Sequence, residues 1–138
     1  MDSHKFWTIA HGGTTHFPIA LLIASFVFDL IALFIKRDPV RRDLLAASYY
    51  SLLLGALGSF GAVLSGVMLT HWQMMGRGKL LLHHDFVWPA FGLIVALAVW
   101  RIIMRDQATR RAYMLYLIVV AAAAALMGAA GYWGGELL

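Results

Sequence analysis

Four apolar runs, each close to 20 residues or longer and joined by short polar links, dominate this chain of 138 residues. A helix that crosses the hydrocarbon of a bilayer needs about 20 mostly apolar residues. The stretches 17–35, 44–70, 86–104 and 112–132 meet that need, broken only by Asp29 in the first and Arg101 near the end of the third. They lack the strict alternation of a membrane β-barrel strand. The sequence therefore predicts an all-α fold: one integral membrane four-helix bundle over residues 1–138, its short links setting neighbouring helices antiparallel. Composition agrees. Hydrophobic residues make up 62% and charged residues 13%, where a soluble domain carries about 25% charged residues.

The net charge of +4 does not form a soluble basic patch, so a nucleic-acid partner is not expected. Eight of the eleven Lys and Arg residues fall in or beside the first and third links: Lys36, Arg37, Arg41, Arg42, Arg101, Arg105, Arg110 and Arg111. Basic links face the cytoplasm. Both termini and the link "HWQMMGRGKLLLHHD" are then expected outside, in the periplasm if this is a bacterial inner membrane. The N-terminus has no long apolar run ending in a small-residue cleavage site, so no removable signal peptide is predicted. The chain has no cysteine, which excludes disulfides, thiolate metal sites and iron–sulfur ligation by its own residues.

A shift of 68 residues superposes ordered landmarks: His16 on His84, Arg37-Asp38 on Arg105-Asp106, Arg42 on Arg110, Ala62 on Ala130 and Gly66 on Gly134. Each unit holds two spans, so both insert the same way round. Such parallel repeats are related by an axis along the membrane normal, which predicts His16 and His84 opposite each other at one depth.

All six histidines, His4, His11, His16, His71, His83 and His84, lie on the same expected side. Interfacial helix ends tolerate polar aromatics, which accounts for His4 and one of His83 and His84. His16, His84 and His71 together suggest a ligand set, because bundle cores build cofactor sites from facing helices. Haem b fits best: an iron porphyrin takes neutral imidazole on both faces. His16 and His84 are the expected axial ligands, with His71 in reserve. Gly66 and Gly134 would let the ring approach the backbone, though small residues also serve plain helix packing. Trp88 lies one turn below His84, and Arg77, Lys79 and Lys5 are candidate propionate partners. Copper is the alternative, through Met68, His71, Met74 and Met75, since thioether and imidazole suit that metal. No catalytic motif stands out. An ionisable residue inside a span needs a partner, and for Asp29 the candidates are Arg101, Tyr49, Tyr50 and Ser51.

With these residues in view, the chain resembles the small bacterial membrane family catalogued as domain of unknown function 2231. The resemblance runs from His11 to Leu137 and rests on "HFPIALL", the Gly-rich second span ending in "LSGVML", the His that opens the third span, and "GYWGGELL". It implies four membrane helices and a link to redox modules, because relatives are found joined to Rieske-type iron–sulfur domains. The residues it transfers are His16, Pro18, His84, Gly134 and Gly135. Relatives commonly show His-Pro where this chain has His11-Gly12, and His11 is left out of the ligand set on that ground. The expected function is a membrane b-type cytochrome subunit that carries electrons between the quinone pool and a periplasmic redox protein. The alternatives are a non-redox anchor or assembly subunit of a larger complex, and a copper-handling membrane protein.

Overall fold

The computed structural model describes residues 2–105 and 108–137. Met1, Asp106, Gln107 and Leu138 lie outside them, and with Asp106 its correspondence to Asp38. The described residues form four helices, α1 (Ser3–Phe34), α2 (Asp38–Leu69), α3 (Lys79–Met104) and α4 (Arg110–Gly135). Each is long and apolar enough to cross a membrane, so the chain is an all-helical membrane protein. Its exterior suits lipid. Phe34, Leu57, Ile103 and Ile118 all turn outward, where a water-soluble bundle would carry charge.

The helices begin earlier than the apolar runs suggest, because local chemistry and not hydropathy sets their ends. Asp2 caps α1 by accepting from the His4 N–H at 3.3 Å, and the helix then runs through Gly12, Gly13 and Pro18. Its 32 residues span roughly 48 Å, more than the ~30 Å hydrocarbon core. Asp38 and Pro39 open α2, where a missing N–H and a fixed φ cost nothing. Thr109 caps α4 through the Ala112 N–H at 3.2 Å. At the C-terminus of α2, His71 and Trp72 take positive φ of 50° and 66°, a place glycine usually fills.

Helix α1 packs along α2, and α3 along α4; α2 meets α3, and α1 meets α4, over smaller areas. The order around the bundle is thus α1-α2-α3-α4, with α1 and α3 on one diagonal. The central layer shows the repeat. Leu22 and Ile94 on α1 and α3, and Leu52 and Val120 on α2 and α4, are all fully buried at 0% exposure. Between α2 and α4 the shift is the expected 68 residues, whereas between α1 and α3 it is 72. The second hairpin reaches the matching core layer of its return helix four residues sooner, about one helical turn, because α2 runs further before Leu52 than α4 does before Val120.

The 72-residue shift also places Asp29 on Arg101, and the two side chains meet. Arg101 Nη2 donates to Asp29 Oδ1 at 2.9 Å, with side-chain exposures of 7% and 0%. Of the candidate partners for Asp29, Arg101 is the one in contact, and the phenol beside it comes from Tyr113, whose hydroxyl donates to the same oxygen at 2.8 Å. The guanidinium lies 5.6 Å and 5.1 Å from the ring centroids of Tyr113 and Tyr116. Cation–π attraction of this kind strengthens on desolvation. One turn toward the bundle centre, Ser25 and Ser48 share a 3.0 Å hydrogen bond between α1 and α2.

Losing one partner of a buried pair leaves an unpaired charge and costs about 3–5 kcal/mol. Arg101→Leu should therefore lower the thermal midpoint of the detergent-solubilised protein by several degrees or more. Asp29→Leu/Arg101→Leu, with both charges removed, should recover most of that loss. A double variant no more stable than the single would show that the pair's partner groups, not the uncompensated charge, carry the effect.

Candidate cofactor site

At the end of the bundle away from the basic links, the two hairpins line a half-open cavity of about 110 Å³. Its lining repeats the two shifts of the core. Thr15 and Val87, Pro18 and Ala90, and Ile19 and Phe91 come from α1 and α3; Ser59 and Met127, and Val63 and Gly131, come from α2 and α4. Histidines stand at matched places too, but not the expected ones. They are His11 and His83, with His84 beside the latter.

His11 and His83 are held in the same way. His11 Nδ1 lies 3.1 Å from the Ala62 carbonyl oxygen, and His83 Nδ1 lies 2.8 Å from that of Ala130. A carbonyl can only accept, so Nδ1 carries the proton and donates in both rings. That leaves each Nε2 with a lone pair, and no hydrogen bond occupies it among the described residues. An Nδ1–H donated to a carbonyl is the arrangement that orients an imidazole for ligation through Nε2.

Each ring also rests on a glycine of the neighbouring helix. A Cβ on Gly66 would come within 2.9 Å of His11 Cε1, and one on Gly134 within 3.1 Å of His83 Cε1. A side chain at Gly66 would therefore displace the His11 ring, and one at Gly134 would press on the His83 ring. His11 has further support: Ser65 Oγ lies 3.1 Å from its Nδ1 and 3.0 Å from Thr14 Oγ1, and donates to the Ala62 carbonyl at 2.9 Å.

His84 differs. It is 7% exposed, and its Nδ1 is buried with no hydrogen-bond partner among the described residues. Its ring centroid lies 5.7 Å from that of His83 and 6.3 Å from that of Trp88. A buried ring nitrogen left unpaired costs of order 1–3 kcal/mol, so this atom is available to a bound group.

The structure corrects the expected pairing of His16 with His84. His16 is exposed and faces away from the cavity, because α1 and α3 align with a shift of 72 and not 68. His71 is exposed in the turn after α2, held there by the left-handed backbone that ends the helix. Met74 and Met75 are exposed in the same link at 45% and 58%. Arg77 is exposed in that link and does not line the cavity. Lys79 pairs with Glu136 at 2.9 Å. Gly66 and Trp88 do line the cavity, and Gly134 reaches it through His83. The Trp88 indole N–H donates to the Met74 carbonyl at 2.9 Å, which ties the link to α3.

Sequence reasoning missed His11 and His83 as a pair. The signal was present: a shift of 72 aligns them together with Asp29 and Arg101, while 68 aligns only the return helices. The departure at His11-Gly12 drew attention away. Gly12 itself has open space around it and lies inside a continuous helix.

Gly66→Ala should displace the His11 ring, and Gly134→Ala the His83 ring. Histidine side-chain NMR on ¹⁵N-labelled protein should report a shifted Nδ1 resonance for the affected residue alone. Gly61→Ala and Gly128→Ala, with nothing within 4 Å of the added methyl, should leave both resonances in place.

No curated protein and no solved structure matches this sequence. A family model described as a predicted membrane protein (DUF2231) matches residues 9–138. The match covers both hairpins and every histidine at the cavity. The chain belongs to the DUF2231 family of predicted membrane proteins.

Proposed function

We propose that the protein is a membrane b-type cytochrome subunit whose haem is held by His11 and His83, carrying electrons between the quinone pool and a redox partner on the outer face. One observation carries this reading. Two imidazoles on diagonal helices are each fixed through Nδ1 by a backbone carbonyl, seated on a glycine, and left with a free Nε2 at one cavity. Bis-imidazole ligation needs that donor set.

Two imidazoles are the donors a bis-histidine haem would take, and the volume sets a condition on entry. About 110 Å³ is below the 300–1,000 Å³ of ordinary ligand sites. Haem would need the hairpins to part at this end, and the contacts between them are the less extensive ones in the bundle. His84, with its unpaired Nδ1, would donate to or accept from a group on the ring's edge. Trp88, Phe91 and Ile19 would exclude water from the ring's faces and keep the local dielectric low. Haem, when bound, supplies one-electron chemistry, and the protein's part is to ligate, orient and shield.

The basic links are read as cytoplasmic, which puts the cavity near the outer face of a bacterial inner membrane. The copper reading is weaker, since His71, Met74 and Met75 lie exposed in a link.

The test is an absorption spectrum of protein purified from haem-replete cells, oxidised and then dithionite-reduced. A sharp reduced α-band is expected, with stoichiometric pyridine haemochrome. His11→Ala and His83→Ala should each abolish the low-spin spectrum, while His16→Ala and His71→Ala keep it. Colourless wild-type protein would reject the cytochrome reading and favour an anchor or assembly subunit.

A further inference from the structure

We propose that the opposite end of the bundle holds a second site, which binds the phosphate group of an anionic phospholipid. Here the helix ends surround an open cleft of about 1290 Å³. Arg41, Arg42, Arg105 and Arg110 line it, with Arg101 also contributing. No carboxylate lines it among the described residues. The charge of Arg101 is offset by Asp29 at 2.9 Å. The other four arginines form no salt bridge within 4.0 Å with a carboxylate among the described residues.

Like charges gathered at one concavity repel each other, and an anion there relieves the repulsion. Guanidinium is the group best shaped to hold a phosphate through paired N–H donors. Basic pockets between membrane helices are suited to lipid head groups. The general excess of basic residues at this end does not account for the arrangement. Lys36, Arg37 and Arg111 belong to the same excess, yet none of them lines the cleft.

The rest of the lining says what kind of phosphate. Phe34, Tyr50 and Met114 line the same cleft and are exposed at 77%, 63% and 42%. They join the cationic wall to the lipid-facing surface of the bundle. A free phosphate would use only the arginines, whereas a phospholipid would use both, with its acyl chains on the apolar wall. This site is independent of the histidine cavity at the other end.

The test uses the full chain in detergent, stripped of native lipid, and counts bound lipid by native mass spectrometry. Phosphatidylglycerol is expected to bind saturably, and phosphatidylcholine to bind weakly or not at all. Arg42→Gln/Arg110→Gln should weaken phosphatidylglycerol binding about tenfold or more, the worth of two cations at an anionic surface. Arg37→Gln/Arg111→Gln removes the same charge from outside the cleft and should leave binding within about twofold. Equal weakening by the two pairs would overturn the proposal in favour of diffuse attraction. Displacement of the lipid by an equal concentration of inorganic phosphate would also overturn it, because the acyl wall would then contribute nothing. Mass spectrometry of the folded ion separates lost binding from lost folding in every variant.

Discussion

The pair formed by Asp29 and Arg101 is the constraint around which the rest of the bundle is arranged. In a membrane, apolar side chains gain little by leaving lipid for one another, so hydrophobicity alone does not say which helix faces which. A charge buried in the bundle does, because it has one acceptable neighbour. Asp29 on α1 and Arg101 on α3 lie on the diagonal, and their 2.9 Å contact fixes both helices in rotation and depth at once. Tyr113 from α4 and the Leu45 carbonyl from α2 complete the cluster, so all four helices contribute to it. The layer of Leu22, Ile94, Leu52 and Val120 lies beyond it, and the histidine cavity further on, both in register with it.

The two ends of the bundle then differ in what they offer. At one end two imidazoles are locked by carbonyls and glycines around a small, mostly apolar space. At the other end long, exposed arginines surround a wide cleft. The ion pair separates the two, so polar groups at one end have no continuous path to the other through the hydrogen bonds described.

The four spans were legible in the sequence because length and hydropathy determine them directly. The partner of Asp29 was legible for a related reason: a buried charge narrows the choice to a few residues. The site was only partly legible. Of the residues expected together, His84, Gly66 and Trp88 line the histidine cavity and Gly134 touches His83, whereas His16 lies outside it and His11 and His83 stand at the matched places. A single shift cannot describe a repeat whose halves differ by a helical turn at the start of the return helix. That difference is invisible to hydropathy, because the extra turn in the first hairpin is basic and polar and falls outside the core. It emerges only when rotation about each helix is known, since four residues preserve which face is buried while moving every side chain by about 6 Å along the axis. The early start of α1 had the same effect. Capping by Asp2 extends the helix past the apolar run and carries His11 into the bundle as a helical side chain.

The opposite signs of Asp29 and Arg101 have a consequence for how hairpins choose partners. Suppose two copies of the α1–α2 hairpin met about the axis that relates the present halves. Each would bring Asp29 to the centre, and two carboxylates would share a dry site with no cation between them. Two copies of α3–α4 would bring together two guanidiniums. Only the mixed pairing is neutral. The halves are similar enough in shape to substitute for one another and opposite enough in charge that they cannot. A chain built from two near-copies is thereby kept from pairing like hairpins in a crowded membrane, and an α1–α2 hairpin set against an α3–α4 hairpin is the arrangement that leaves no charge unmatched at the core.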